Sequence, residues 1–183
     1  MRYSAEHKDR TRSKIVGASA AVVKRGGFSA TGIDALAEAA GVTSGAVYKH
    51  FDGKDGLLRA IIESELAATE RRFANVDLRR AVDMYLSLAH VERPEAGCLL
   101  PALAAEVARA SPETRDAYER AMDRLIATLA IALGERALAL SLVSLCVGAV
   151  TVARGLTSDT ARRDILAAGR TSAHALLASR QLR

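Results

Sequence analysis

Apolar residues recur every three or four positions along most of this chain, which is the spacing of one face of an α-helix. The first such stretch runs from about Ser4 to Arg25 and ends at a glycine pair, and another runs from Asp52 to about Phe73. We find no stretch with the alternating pattern of a half-buried strand, and only three prolines interrupt the 183 residues. The pattern predicts an all-α fold class.

Further amphipathic stretches fill the chain after Asp77, which is a candidate helix N-cap. A serine followed by a proline at 111–112 marks another helix start, and Gly134 marks the end of that helix. Residues 91–97, VERPEAG, are expected to form a loop. The helices predicted here begin at Asp77 and then cover residues 98–110, 112–133, 135–155 and 159–179.

Residues 33–51 have the spacing of a helix, a tight turn and a second helix. Ala37 is small where the second helix has to cross the first, Gly41 suits a turn with positive φ, and Val47 is apolar where the second helix closes the small core. The preceding TGID sequence, which begins at Thr31, predicts a capping box at the start of the first helix. This ordered set predicts a helix-turn-helix unit.

The positive charge of the chain is concentrated at its N-terminus. The net charge is +5, and residues 1–25 contain seven lysines and arginines against Glu6 and Asp9, so the remaining chain is neutral. Such a cluster is expected of a helix that faces nucleic-acid phosphates, but charge alone favours a solvated helix face. The basic residues are Arg2, Lys8, Arg10, Arg12, Lys14, Lys24 and Arg25.

Residues 8–62 resemble the DNA-binding domain of TetR-type (tetracycline-repressor-like) transcriptional regulators. The likeness lies in the GF–T linker at residues 27–31, then in IDALAEAAGV, and then in GAVYKHFDGKDGLL. It implies an N-terminal three-helix DNA-binding domain over residues 1–55 and a C-terminal helical domain over residues 56–183 that binds a small ligand and dimerises. It therefore implies a ligand-responsive repressor that binds a palindromic operator in double-stranded DNA as a homodimer.

The segment TSGAVYKHF, residues 43–51, is the expected recognition helix. Hydroxyl groups and free amides at its start can meet phosphates or base edges, and Gly45 lets the backbone approach DNA closely. The resemblance implies that Tyr48 and His50 contact phosphates, with Lys49 as a candidate for base or backbone contact. The alternatives are a core aromatic for Tyr48, a solvated histidine and a solubilising lysine. The residues expected to bind DNA are Thr31, Thr43, Ser44, Gly45, Tyr48, Lys49, His50 and Lys54.

The resemblance also implies an effector cavity between the helices at about 77–133 and the start of the 135–155 helix. Beyond Phe73, only Tyr85 and Tyr118 supply aromatic rings, so the sequence favours a small or aliphatic effector over a large planar one. The expected pocket residues are Met84, Leu88, Cys98, Leu99, Leu103, Val107, Tyr118, Met122 and Leu125.

Residues 137–153 contain no charged side chain, so one protomer cannot easily cover this helix. Its seventeen residues fall short of the roughly 20 that a membrane span needs, and they include Ser141, Ser144, Gly148 and Thr151. We expect this helix and the last one to form a four-helix dimer interface, the alternative being that both are simply core, and we expect no membrane insertion. The expected interface residues are Leu142, Val143, Val147, Val150, Ile165, Ala173, Leu176 and Leu177.

Cys98 and Cys146 lie far apart and form no CxxC motif, which fits a reducing cytoplasm. Cys98 begins a predicted helix, and its Gly-Cys-Leu context resembles that of a subset of TetR-type regulators, some of which sense electrophiles through a cysteine in this region. A helix N-terminus can stabilise a thiolate, whereas a small buried cysteine beside the cavity would be inert. Cys146 is expected to be inert in either case.

Catalytic and metal-binding motifs are missing from the sequence. His7, His50, His90 and His174 lie on separate segments, and no phosphate-binding loop, nucleophile elbow or dinucleotide-binding fingerprint is present. We therefore expect neither an enzyme nor a cofactor nor a metal site. The alternative class is a helical adaptor that binds proteins and not DNA, and it leaves the basic N-terminal helix and the spacing at 33–51 unexplained.

Overall fold

A computed structural model describes residues 5–74 and 76–179 of the chain. These residues form ten α-helices and one turn of 3₁₀ helix, and no strand occurs among them, which confirms the all-α prediction. In chain order the elements are α1 (Ala5–Gly26), α2 (Ile33–Ala39), α3 (Ser44–His50), α4 (Gly53–Phe73), α5 (Leu78–Tyr85), α6 (Leu88–Glu92), the 3₁₀ turn (Pro94–Ala96), α7 (Leu100–Val107), α8 (Pro112–Leu133), α9 (Arg136–Gly155) and α10 (Asp159–Ser179).

The first three helices form a small unit held together by apolar side chains from each of them. Ile15 of α1, Leu36 of α2 and Val47 of α3 are completely buried. Gly27 adopts a positive φ of 82° after α1 and lets the chain turn back, and Phe28 is buried beside it. This turn packs α2 against α1, and α2 in turn carries α3.

The fourth helix joins this N-terminal unit to the rest of the chain. Leu58, Ile61, Ile62 and Leu66 face inward, as their spacing predicts, and α4 packs against both α1 and α8. The buried apolar core is therefore continuous between the two ends of the chain. A domain boundary between residues 55 and 56 falls inside α4, so both expected domains share this helix.

The eighth, ninth and tenth helices pack side by side and carry the C-terminal core. α8 begins as predicted, since the Ser111 side chain accepts a hydrogen bond from the Thr114 N–H at 3.3 Å and Pro112 lies in the first turn. It ends at Gly134, which has a left-handed φ of 79°. α9 contacts both α8 and α10, so it lies within the C-terminal bundle.

In residues 5–74 and 76–179, α9 is the helix that is long and apolar enough to cross a membrane by length and composition. It contacts α7 as well as α8 and α10, and it buries Leu142, Cys146, Val150 and Ala153. A core helix of a bundle has the same composition. Because 28% of its apolar window is buried, α9 packs into the bundle along one face and leaves the other exposed, and its length and composition are weak evidence for a membrane span.

Two helices have other bounds than predicted, and His90 makes hydrogen bonds at both places. The helix expected to begin at Asp77 ends at Tyr85 as α5, and a second helix, α6, follows before the expected loop. The Ser87 side chain caps α6 by accepting a hydrogen bond from the His90 N–H at 3.3 Å. α7 begins at Leu100 and not at Cys98, since the Cys98 N–H donates to His90 Nε2 at 3.0 Å. The 3₁₀ turn lies within the expected loop.

The capping box expected at the TGID sequence does not form. Gly32 and not Thr31 is the N-cap of α2, and no side chain caps the helix. The Thr31 hydroxyl donates to the Gly27 carbonyl at 2.7 Å, and the Asp34 carboxylate accepts instead from the Ser44 hydroxyl of α3. The carboxylate thus ties α2 to α3, which a local sequence pattern does not reveal.

Candidate functional site

The helix-turn-helix unit forms as its spacing predicts, with α2 and α3 joined by a tight turn. Gly41 adopts a positive φ of 61° in that turn, where a residue with a Cβ would be strained. Thr43 is the N-cap of α3, and its side chain accepts a hydrogen bond from the Ala46 N–H at 3.2 Å. Ala37 and Val47 are buried. Packing and capping therefore hold α3 with its opposite face turned outward.

The outward face of α3 offers three residues to a macromolecule. Tyr48 is 58% exposed, which excludes the alternative of a core aromatic. Lys49 and Gly45 are exposed as well. A Cβ added at Gly45 would meet no atom closer than the Thr43 hydroxyl at 3.9 Å, so the backbone is open to close approach. The face thus presents a phenol, an ammonium group and bare backbone.

Four of the residues expected to bind DNA have partners within the protein. The three that carry aliphatic hydroxyl groups make the hydrogen bonds described above. The Lys54 ammonium group donates to the Ser29 carbonyl at 3.3 Å and lies 4.8 Å from the centre of the Phe28 ring. These four residues shape the surface, and a contact with DNA would use their remaining hydrogen-bonding capacity.

Basic residues of α1 lie beside the end of α3. The pKa of His50 is lowered, by desolvation first and then by the charges of Lys8, Arg12 and His7. The His50 imidazole is therefore neutral at pH 7. Lys8 and Arg12 of the N-terminal charge cluster thus lie near the end of α3, whereas Lys24 of that cluster is buried beside Glu65 and Arg2 lies outside the described residues.

A large cavity of about 1010 Å³ opens to solvent in the C-terminal part of the chain. Its walls come from the last turns of α4, from α5 and α6, and from the residues just before α7. A second, enclosed cavity of about 30 Å³ lies against it. Of the expected pocket residues, Met84 lines the large cavity, Leu125 lines the enclosed one, and Cys98 lines both.

The other expected pocket residues line neither of these two cavities. Leu99, Leu103 and Val107 are buried in the core, and the rest pack partly buried against it. The cavities open beside the break between α5 and α6, which we did not predict from the sequence. The last turns of α4 also line them, through residues such as Phe73. The residues concerned are Leu88, Leu99, Leu103, Val107, Tyr118 and Met122.

Tyr85, His90 and Cys98 form a polar cluster at the inner wall of the large cavity. His90 Nδ1 lies 2.7 Å from the Tyr85 carbonyl, and its Nε2 accepts from the Cys98 N–H, so the imidazole proton is on Nδ1. Desolvation lowers the pKa of His90 despite the opposing effect of the Tyr85 carbonyl. The Tyr85 hydroxyl lies beside the Cys98 thiol and has no hydrogen bond of good geometry.

Both cysteines are buried, and both line the enclosed cavity. Burial raises the pKa of the Cys98 thiol, although the Leu100 N–H and the Tyr85 hydroxyl oppose this shift. Burial, together with the neighbouring Cys98, raises the pKa of Cys146 to about 12. A buried thiol that stays neutral is a poor nucleophile. The geometry therefore supports the inert alternative for Cys98 over the electrophile sensor.

The exposed faces of α9 and α10 consist mainly of small residues. On α9 the exposed positions after Arg136 are Ala137, Leu140, Ser141, Ser144, Gly148, Thr151, Val152 and Gly155. On α10 the small exposed residues include Ala167, Ala168, Thr171, Ser172 and Ala175. Leu140 and Val152 add apolar area, since they are 46% and 51% exposed. Two such faces can approach each other closely, with little charge to desolvate.

Half of the expected dimer residues lie on the inner faces of the expected helices. Leu142, Val150, Ala173 and Leu177 are at most 8% exposed and belong to the core of one protomer. The other four, which are Val143, Val147, Ile165 and Leu176, are partly buried. The outer faces described above are therefore the surfaces that α9 and α10 offer to a partner.

The helix-turn-helix unit coincides with a known sequence family. Residues 15–61 match the family described as bacterial regulatory proteins, tetR family, and this stretch contains α2 and α3 with the adjoining parts of α1 and α4. The helix-turn-helix part of the chain is therefore of the tetR type. The resemblance inferred from the linker, the turn and the recognition segment is thereby confirmed.

Curated relatives align with part of this chain. The HTH-type transcriptional regulator SrpR of Pseudomonas putida is 39% identical over 72 residues, which are 39% of this chain and 34% of SrpR. The regulator TtgR, also of Pseudomonas putida, is 36% identical over 64 residues, which are 35% of this chain and 30% of TtgR. The chain thus spans about a third of the length of the curated relatives it matches.

Solved structures of the TetR family share the fold of the whole chain. The reduced form of NemR from Escherichia coli superimposes with a TM-score of 0.72 at 22% identity, over 90% of this chain and 95% of NemR. The relatives and neighbours are transcriptional regulators and not enzymes. In the part of the chain that the structure describes, no group of His, Cys, Asp and Glu side chains is placed to hold a metal ion.

Two residues that connect the N-terminal helices to the rest of the chain were not among the expected sites. Lys24 of α1 lies 2.9 Å from Glu65 and donates to the Gly97 carbonyl at 3.1 Å. Glu106 of α7 accepts a hydrogen bond from the Ser29 N–H at 2.6 Å. A lone acidic residue in the apolar stretch LLPALAAEV is the sequence signal for Glu106. Lys24 has no comparable signal, because its charge merges with the N-terminal cluster.

Proposed function

We propose that this chain is a transcriptional repressor that binds a palindromic DNA operator as a homodimer in the cytoplasm and is released by a small-molecule effector. The observation that carries the proposal is the outward face of α3, where Gly45, Tyr48 and Lys49 are exposed beside the basic start of α1. A helix presented in this way fits the major groove, and neighbouring lysines and arginines bind the phosphates.

The outer faces of α9 and α10 support dimerisation through a four-helix interface. Gly148 lies in the α9 face, and a Cβ added there would meet no atom of its own protomer within 4 Å. A dimer of this kind holds two copies of α3 at a fixed separation. The half-sites of the operator would then lie about 34 Å apart, which is one turn of DNA.

The large cavity supports an effector site because the segment that lines it also contacts the N-terminal unit. Gly97 and Cys98 line the cavity, and the Gly97 carbonyl accepts a hydrogen bond from Lys24 of α1. In the helix that follows, Glu106 binds Ser29 just beyond α1. A ligand that binds better when this segment is displaced would reorient α1 to α3 and lower the affinity for the operator.

The test is operator binding by variants of the outward face of α3. A duplex that binds is selected from a random pool, and its affinity for wild type and for Tyr48→Ala/Lys49→Ala is measured by fluorescence anisotropy. We expect the double variant to lose about tenfold or more, because each lost contact costs about 1–3 kcal/mol. Arg115→Ala/Arg124→Ala removes two exposed charges from α8, and this matched control should retain the wild-type affinity.

Unchanged operator affinity in Tyr48→Ala/Lys49→Ala, with unchanged circular dichroism, would contradict the assignment of α3. If no duplex can be selected with the wild-type protein, the repressor function itself is wrong. The helical adaptor that binds proteins would then be the better description.

A further inference from the structure

The mouth of the large cavity is lined by arginines. The lining arginines are Arg71, Arg72, Arg80 and Arg93. None of these four guanidinium groups forms an ion pair with another residue in 5–74 or 76–179. Among the described lining residues the acidic one is Asp83, and its carboxylate lies 3.1 Å from His174 Nε2. The entrance therefore carries an excess of unpaired positive charge.

The inner wall of the same cavity is mostly apolar. Thr69, Phe73, Ala81, Tyr85 and Cys98 line it, and these five residues also line the enclosed cavity of about 30 Å³. The remaining walls of the enclosed cavity are aliphatic side chains and one further cysteine. The lining thus changes with depth, from four guanidinium groups with the exposed side chains of Val76 and Met84 in the outer part to mostly apolar side chains at the inner end.

We propose that the effector is an amphiphilic anion, whose carboxylate or phosphate headgroup binds the arginines at the mouth and whose aliphatic tail lies along Phe73, Tyr85 and Cys98. An anionic headgroup gains charge-assisted hydrogen bonds from guanidinium groups that have no carboxylate partner. An aliphatic tail removes the apolar inner wall from water. A cationic molecule of the same shape would meet like charges at the entrance.

The size of the cavity agrees with this ligand class. Its volume of about 1010 Å³ is at the upper end of the range for small-molecule sites, roughly 300–1,000 Å³. The inference rests on the proposed function only where it calls the ligand an effector, because binding of the anion itself needs no operator.

The experiment is isothermal titration of the full chain with probes that differ in one feature at a time, each below its micelle-forming concentration. Decanoate and decyltrimethylammonium share a tail and differ in the sign of charge. Acetate keeps the carboxylate and lacks the tail. We expect decanoate to bind at least about tenfold more tightly than the cation. The arginines attract the carboxylate and repel the cation, and several such solvent-exposed charge interactions add up. Acetate should show no measurable binding, and added salt should weaken binding of decanoate.

Decyl phosphate separates the two headgroup classes. A preference for decanoate identifies a carboxylate ligand, and a preference for decyl phosphate identifies a phosphate ligand. Either preference supports the inference as long as both anions bind more tightly than the cation.

Two double variants test whether the headgroup binds to the arginines. Arg80→Ala/Arg93→Ala should weaken the binding of decanoate about tenfold and leave circular dichroism unchanged, because neither guanidinium group holds an ion pair within the described residues. Arg115→Ala/Arg124→Ala removes the same charge from α8 and should leave the binding unchanged. The inference is overturned if no probe binds, if the cation binds as tightly as decanoate, or if both double variants bind decanoate equally well.

The outcome is separable from that of the DNA-binding test. If the protein binds the anion selectively but binds no duplex, the ligand site is supported and its role as an effector site is rejected. If the protein binds a duplex but does not prefer the anion over the cation, only the proposed ligand class is rejected.

Discussion

Ser29 is held by Glu106 through two hydrogen bonds, from its N–H at 2.6 Å and from its hydroxyl at 2.5 Å. The Phe28 N–H donates to the same carboxylate at 2.9 Å. Desolvation acts to raise the pKa of Glu106, but these hydrogen bonds and the charge of Arg109 outweigh it, and the pKa is lowered. The turn between α1 and α2 is therefore bound to the C-terminal part of the chain through a carboxylate.

Glu106→Gln should lower the melting temperature at pH 7, because the amide lacks the charge and one of the two acceptor oxygens. The expected loss is about 1 kcal/mol, as for other partly exposed hydrogen bonds to a charged group. Glu119→Gln, at an exposed position of α8, is the matched control and should melt like wild type.

The stability that Glu106 contributes should also depend on pH. Because its folded pKa is lowered, the contribution is present above the ordinary value of 4.5 and is lost as the pH falls through the lower folded value. The difference in melting temperature between wild type and Glu106→Gln should therefore shrink below pH 4.5. Thermal unfolding at pH 7 and at about pH 3.5 checks this, and an undiminished difference at the lower pH would contradict it.

Gly45→Ala should stabilise the protein and weaken operator binding. Alanine favours a helix over glycine by up to about 1 kcal/mol, and the new Cβ would meet no atom of the protein closer than 3.9 Å. The same Cβ would stand between the backbone of α3 and the DNA. Gly17→Ala, in α1 with no atom within 4 Å of its Cβ, should gain stability without losing affinity. Equal operator affinity in both variants would show that DNA does not approach Gly45.

Lys8→Ala/Arg10→Ala should weaken binding to every duplex, whatever its sequence. Each lost phosphate contact lowers the slope of log affinity against log salt by about one unit. Arg12 is left in place, because its guanidinium lies 5.1 Å from the centre of the Phe51 ring and also supports the end of α3. Anisotropy titrations at several salt concentrations give the slope. A slope equal to that of wild type would mean that both residues are merely solvated.

Gly148→Arg and Ala168→Arg should each produce monomers. Both positions are exposed in the protomer, so the variants fold, but a dimer would have to bury an unpaired guanidinium group in an apolar interface. Ala35→Arg, at an exposed position of α2, should remain a dimer. Light scattering gives the mass, and a dimer mass for both test variants would exclude this face of α9 and α10.

Cys98 should react with iodoacetamide at about pH 7.5 no faster than Cys146. Burial raises the pKa of both thiols, so neither is a thiolate at this pH, and both side chains are buried. Peptide mass spectrometry over time gives the two rates, and the urea-unfolded chain supplies the reference in which both react. Rapid labelling of Cys98 in the folded protein, with loss of operator affinity, would restore the electrophile-sensor hypothesis.

Local sequence signals are enough to predict the helix-turn-helix unit and most helix ends. Gly41 and Gly134 have the positive φ expected of them, and Ser111 caps α8 as its Ser-Pro context predicts. These features depend on backbone preferences and hydrogen bonds within a few residues, so the local sequence displays them directly.

Which helix faces are buried, and which distant residues meet, depends on tertiary packing. Residues 137–153 carry no charge, so their pattern does not show that Val150 is buried while Gly148 is exposed. Ser29 and Glu106 are 77 positions apart, and they meet because α7 packs against α1. Burial of apolar surface has no direction of its own. The partner of an all-apolar helix, and the walls of a cavity between helices, are therefore set only when the whole chain packs.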